Sequence, residues 1–169
     1  MKEENNLLET VLSLTDYEAA ASALTELKYI NRQKAGKLAL DILEQGKGDV
    51  HFQAGAFEVL YSVEQLKAFE FIKEKRDSVD VIVLRSMLEC VTEDSSLIDD
   101  NPKMLDIVSV LNTNAEQLSA GDMEKIGETL DWFKESFSEQ IRKNPKIIYS
   151  KYPPNTPLTS IKRGIAQQA

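Results

Sequence analysis

Apolar residues recur every three or four positions along most of the chain, the spacing of amphipathic helices and not the alternation of strands. Leu7, Leu8, Val11 and Leu12 predict a first helix over 3–13. Thr15 and Glu18 form a capping box, whose side chains satisfy backbone donors left free at a helix start. They predict a second helix with Ala21, Leu24, Leu27 and Ile30 on one stripe. A third begins near Asn31, turns Ala35, Leu38, Ile42 and Leu43 inward, and stops at Gly46, which accepts a left-handed backbone. Asp49 caps a fourth helix over 50–61 that is apolar nearly all round, as in the middle of a bundle or solenoid. Ser62 and Gln65 repeat the capping box and predict a fifth helix carrying Leu66, Phe69 and Ile72.

Asp77 and Ser78 interrupt the pattern, and the next helix runs over 79–92 with Val83, Met87, Cys90 and Val91 inward. The β-branched run Val79 to Leu84 also suits a strand, but the apolar stripe continues to Val91 and favours a helix. Residues 93–100 read as a polar connection. Asn101 and Pro102 then open a helix over 102–112, because proline lacks only an N–H that the first turn does not use. A loop over 113–119 leads to the longest helix, 120–142, started by Ser119 and closed by Pro145. Its stripe is Met123, Ile126, Leu130, Phe133, Phe137 and Ile141.

Shifting the chain by 33 residues places Ala23, Leu24, Leu27 and Ile30 on Ala56, Phe57, Leu60 and Val63, and Lys34, Ala35 and Leu38 on Lys67, Ala68 and Phe71. Each copy is a helix, a tight turn and a second helix, and a third copy around 82–112 fits with an insertion at 93–100. The expected fold is all-α: a short HEAT-like α-solenoid of stacked hairpins, with an irregular helical bundle as the alternative. The helical-repeat domain spans 1–144. Residues 145–169 form a basic, proline-containing tail in which Thr156 and Pro157 are placed to start a short helix through Leu158, Ile161 and Ile165.

Composition narrows the class. The 169 residues include only seven Gly, five Pro and one Cys, too few for a turn-rich β-sandwich or a disulfide scaffold. The longest apolar runs are too short to cross a bilayer, and the N-terminus lacks a signal-peptide layout, so a cytoplasmic protein is expected. The formal charge of −8 disfavours direct binding to nucleic acid or to an anionic membrane. That charge is unevenly spread: net −4 over 1–88, net −10 over 89–140 and net +6 over 141–169.

Chemistry is sparse. His51 is the only histidine and is expected on the polar side of its helix, beside Gly55 and Glu58. Cys90 is the only cysteine and lies on an apolar stripe, where a thiol acts as a small hydrophobe. Gly46 and Gly48 flank Lys47 ahead of a helix, but without the preceding strand and the spacing of a phosphate loop they mark a turn. No ligand spacing for a metal appears. The chain is therefore expected to be neither an enzyme nor a cofactor- or metal-binding protein.

The candidate partner-binding residues lie on the 120–142 helix. Glu124, Glu128, Asp131, Glu135 and Glu139 fall within about 80° of one another, opposite the apolar stripe. Trp132, the only tryptophan, projects beside them. A half-exposed tryptophan bordered by acids suits an anchor for an Arg- or Lys-rich partner. Packing of Trp132 under Ile147, Ile148 and Tyr149 of the tail is the competing reading.

The run Asp49-Val50-His51-Phe52-Gln53-Ala54, then Ala56-Phe57-Glu58-Val59-Leu60-Tyr61, followed by Lys67-Ala68-Phe69-Glu70-Phe71-Ile72, resembles the all-helical immunity proteins of bacterial polymorphic-toxin and contact-dependent growth-inhibition systems. The resemblance covers residues 10–75 and rests on hydrophobic positions. It implies a small cytoplasmic protein that binds and blocks one cognate toxin domain, often a nuclease, here through occlusion of a basic RNase surface. A HEAT-like adapter or regulatory subunit of a host complex is the alternative.

Overall fold

In the computed structural model, residues 2–99 and 101–143 are described. The tail over 145–169, with its expected short helix, lies outside the described residues. Among those described there are only helices: α1 (Lys2–Ser13), α2 (Tyr17–Ile30), α3 (Arg32–Gln45), α4 (Val50–Val63), α5 (Gln65–Lys75), α6 (Val81–Glu93), α7 (Pro102–Ala115), α8 (Ala120–Ser136) and α9 (Ser138–Lys143), with a short 3-10 turn at Ser95–Leu97. The β-branched start of α6 is helical, as its stripe required.

The packing is that of stacked hairpins. Helices α2, α4, α6 and α8 touch in series and form one layer, while α5, α7 and α9 touch in series in the second layer, to which α3 also belongs as the partner of α2 and α4. The hairpins are α2/α3, α4/α5, α6/α7 and α8/α9, and α1 covers α2 at one end. The 33-residue shift carries the start of α2 onto that of α4, and the start of α3 onto that of α5. The third copy has the expected insertion.

Three of the hairpins turn on one shared residue. Asn31 ends α2 by donating its N–H to the Leu27 carbonyl at 2.7 Å, and starts α3 by accepting from the Ala35 N–H at 3.0 Å. Glu64 does the same between Leu60 (2.8 Å) and Ala68 (3.1 Å), and Phe137 between Phe133 (3.1 Å) and Ile141 (2.9 Å). The hinge backbone leaves helical geometry, with φ/ψ of −144°/84°, −140°/57° and −112°/19° respectively. A single residue thus supplies the last donor of one helix and the first acceptor of the next, leaving few backbone groups unpaired at the corner. The Asn31 side chain also accepts from the Lys34 N–H (3.1 Å) and donates to Glu4 (2.8 Å), which ties α1 to the hinge.

One buried triplet recurs in the first layer: Ala23, Leu24 and Leu27; Ala56, Phe57 and Leu60; Met87, Leu88 and Val91; Thr129, Leu130 and Phe133. All twelve face the core, so the repeat extends to a fourth copy. Gly36 of α3 lies so close to the next hinge that a Cβ there would meet Val63 Cγ2 and Glu64 Cγ at 2.9 Å. The insertion between α6 and α7 is held at Asp94, which accepts from the Tyr61 hydroxyl (3.0 Å) and Gln65 Nε2 (2.8 Å).

Several local expectations are corrected. Asp16, not Thr15, caps α2 by accepting from the Ala19 N–H at 3.0 Å. The α2 stripe is Ala20, Ala23, Leu24 and Leu27, while Ile30, beside the hinge, is exposed. Ser62 lies inside α4 with its hydroxyl donating to the Val59 carbonyl, and Gln65 is engaged by Asp94, so no capping box opens α5. Leu66 faces solvent. Asn101 makes no side-chain cap, and α7 continues to Ala115, through the first three residues of the expected loop.

The expected 120–142 helix is two helices. Its backbone leaves helical geometry at Ile126 (φ −123°, ψ 15°), before Gly127, and ends at the Phe137 hinge. Ile126 is buried in the core as its stripe required, whereas Met123, before the kink, is exposed. Phe137 is fully buried with its ring 5.2 Å from that of Phe133, an aromatic contact that holds the corner.

Two substitutions test this account by thermal unfolding. Asn31→Ala should cost about 1 kcal/mol, the typical loss of a helix cap, and lower the melting temperature by about 2–4 °C. Phe133→Ala, which empties a fully buried aromatic site, should cost about 3–5 kcal/mol.

Candidate protein-binding face

Stacking sorts the charges. The α2, α4, α6 and α8 layer carries ten carboxylates against four Lys and Arg, net −6, whereas the α3, α5, α7 and α9 layer carries six carboxylates against nine, net +3. The two layers of one small fold therefore present opposite potentials, and the acidic layer attracts cationic surface.

On α8, Glu128, Asp131 and Glu135 are exposed on one regular stretch between the kink and the hinge. Trp132 stands among them and remains 44% exposed. Glu124 is also exposed but precedes the kink, so its angular relation to the others differs from that of a straight helix. Glu139 falls beyond the hinge on α9, in the second layer, where Lys143 forms an ion pair with it and holds its carboxyl below the usual range. The structure therefore groups four of the six candidates and sets Glu124 and Glu139 apart.

The same face continues onto α6 and α4 through residues not expected there. In the register of the buried triplet, Glu58, Glu89 and Asp131 occupy equivalent positions, and so do Ser62, Glu93 and Glu135. Thr129 donates to Glu89 Oε1 at 3.0 Å, joining α8 to α6, and the Ser86 hydroxyl donates to Glu58 at 3.0 Å, joining α6 to α4. Arg85 pairs with Glu89 at 2.8 Å. That hydrogen bond, with a smaller contribution from Glu128, raises the Arg85 guanidinium above its ordinary value. Aligning α6 and α8 to the repeat is the sequence signal that locates Glu89 and Glu93.

Glu58, Glu89, Glu93, Tyr61, Lys28 and Cys90 line a hollow of about 330 Å³ between α4 and α6. Burial pushes the Cys90 thiol well up, and the surrounding carboxylates, Glu58 first, push it further. A thiol so held is protonated and a poor nucleophile. His51 is exposed on α4, and no cluster of metal-ligating side chains occurs among the described residues. No described helix is long and apolar enough to cross a membrane. What this face offers is fixed negative charge, carboxylate acceptors and one large aromatic surface, the elements that hold Arg and Lys side chains.

No family model matches the chain, nor does any curated protein or any solved structure.

The state of Cys90 is testable. At pH 8 the native thiol should react with a disulfide reagent at least ~10-fold more slowly than in denaturant, because both its protonation and its burial oppose attack.

Proposed function

We propose that the chain is an immunity protein that binds a cognate toxin domain in the cytoplasm and neutralises it, without a cofactor, by covering its basic surface. The toxin in this reading is a nuclease, with an RNase as the first case to test. The observation that supports this reading is the segregation of charge: the −6 layer carries Glu58, Glu89 and Glu93 on α4 and α6, and Glu128, Asp131 and Glu135 beside Trp132 on α8. A nuclease needs basic surface to hold its substrate, and an acidic face of matching extent occludes it. Complementary charge also speeds encounter by about 10- to 1,000-fold, which suits an inhibitor that must act before damage accumulates.

The interface residues have graded roles. Trp132 is the anchor, since large aromatic side chains dominate interface energies. Glu128, Asp131 and Glu135 set orientation and rate of encounter. Glu89 is committed to Arg85 and Thr129 and contributes through the field of the face.

The deciding experiment combines the chain with the toxin domain encoded beside it and measures affinity at low and high salt. The expected result is nanomolar binding that weakens as salt rises, together with rescue of cells expressing that domain. Exchanging Glu128, Asp131 and Glu135 for Lys should weaken binding by at least roughly 30-fold, about 2 kcal/mol, while the helical circular dichroism spectrum is unchanged. Unchanged affinity in that variant removes α8 from the interface. Neither binding nor rescue transfers the role to the adapter reading.

A further inference from the structure

Successive hairpins are joined at the helix ends opposite the corners, by residues 76–80 between α5 and α6 and 116–119 between α7 and α8. These two connections border a hollow of about 520 Å³. Val81, Leu84 and Leu118 give it apolar walls, and Arg76, Asp77, Asp80, Asp122 and Lys125 give it charge. None of its residues belongs to the acidic face around Trp132.

Asn114, in the last turn of α7, also lines the hollow and is only 8% exposed. Its Nδ2 donates to the Arg76 carbonyl (3.1 Å) and to Asp77 Oδ1 (3.2 Å). Its Oδ1 is buried and has no hydrogen-bond donor among the described residues. Turning the amide over would not help, since the oxygen would then face a carbonyl and a carboxylate, both acceptors. A buried oxygen left in this way is rare, because nothing offsets its desolvation, and it marks a place where a donor is missing. We propose that this hollow binds the guanidinium of an arginine side chain presented by a partner protein, with Asp77, Asp80 and Asn114 Oδ1 as its acceptors.

The balance of donors and acceptors selects that ligand. Asp80 uses Oδ1 to cap α6 on the Ile82 N–H (2.8 Å), which leaves Oδ2 for a ligand. Asp77 is held by Asn114 and only loosely by Arg76, at 3.6 Å. Asp122 is by contrast engaged by Ser119 (2.7 Å) and Lys125 (3.3 Å). The hollow therefore calls for a cation with several N–H groups, which the planar guanidinium supplies in a fixed fork. The aliphatic stem of arginine suits the Val81, Leu84 and Leu118 walls. Free arginine fits less well, because its carboxylate needs a cation and both are taken: Arg76 by Asp77 and the Lys73 carbonyl, Lys125 by Asp122. An arginine inside a polypeptide carries no such carboxylate. Asn114 Oδ1 is closed to solvent, so it joins the ligand by a turn of the side chain. Once the guanidinium replaces Nδ2 as the donor to Asp77, the amide is released to turn its oxygen inward. The inference rests on these acceptors and not on the partner being a toxin.

The probe is Nα-acetyl-arginine amide, titrated into the isotope-labelled full chain and followed by amide NMR. Saturable shifts should appear at the Asn114 side-chain amide and at the backbone of 80–82 and 117–119. Half-saturation is expected at about 1 mM, ordinary for a ligand of that size. The neutral citrulline counterpart should give no saturable shift, and the lysine counterpart should bind at least ~5-fold more weakly for want of the fork. Asp80→Asn keeps a good helix cap but removes the charge, and should weaken binding by about 5-fold or more. Asn114→Ala should weaken it as well; if that variant fails to fold, Asp80→Asn decides. Glu128→Gln with Asp131→Asn, on the separate acidic face, should leave the affinity unchanged. Unsaturable shifts spread over the exposed carboxylates overturn the proposal, and so does unchanged affinity in Asp80→Asn. Tighter binding of free arginine than of the amide overturns the assignment to a polypeptide arginine.

Discussion

Three of the four hairpins in this fold hang from a single corner residue. Asn31, Glu64 and Phe137 each close one helix with an N–H and open the next with a carbonyl, so a helix reverses direction without a loop. A longer loop would let the two helices of a hairpin slide or splay. A one-residue corner fixes their height and crossing together, and the buried triplets of successive hairpins then meet at a constant level. The three corners use different side chains: an amide that caps, a carboxylate that makes no cap, and a buried phenyl ring. What they share is the backbone hydrogen-bond pattern, not residue type.

Constant stacking has an electrostatic consequence. Once hairpins superpose, a surface position in one repeat lies in register with its equivalent in the next, so residues far apart in the chain become a ladder. Glu58, Glu89 and Asp131 form such a ladder. No single helix among α2, α4 and α6 exceeds a net charge of −1, yet stacked with α8 they build a layer of −6 opposed to one of +3. The like charges repel at modest cost because they remain solvated, and the buried triplets beneath them supply the offsetting stability. That modest repulsion is relieved wherever a cation approaches the surface.

Much was legible in the chain itself. The helical class, the helix start near Asn31, the cap at Asp49 and the left-handed stop at Gly46 rest on local chemistry, the 33-residue repeat and the insertion before Asn101 on pattern, and all stand. Failures came where two local solutions compete at low cost. Thr15 and Asp16 are both good caps one residue apart, and the packing of Ala20 rather than Ala21 selects Asp16. The Phe137 corner has no glycine or proline to mark it, and the three-or-four spacing of Leu130, Phe133, Phe137 and Ile141 passes through it unbroken, because both helices turn those residues to the same core. Of the site, Trp132, Glu128, Asp131 and Glu135 were found on one helix, where 100° per residue suffices. Glu124 and Glu139 were grouped with them only by assuming that helix straight.

By itself the sequence determined that the chain is helical, where most helices begin and end, which side of each is apolar, and that acids crowd its third quarter. Those properties follow from interactions within a few residues, and a few residues are enough to compute them. Only the tertiary structure decided which helices lie side by side, and hence that Glu89 and Glu93 of α6 and Glu58 of α4 join the α8 carboxylates while Glu139 passes to the other layer. The reason is that adjacency between hairpins is set by the corner dihedrals and by how the buried triplets interlock, and neither is written in the composition of any one helix.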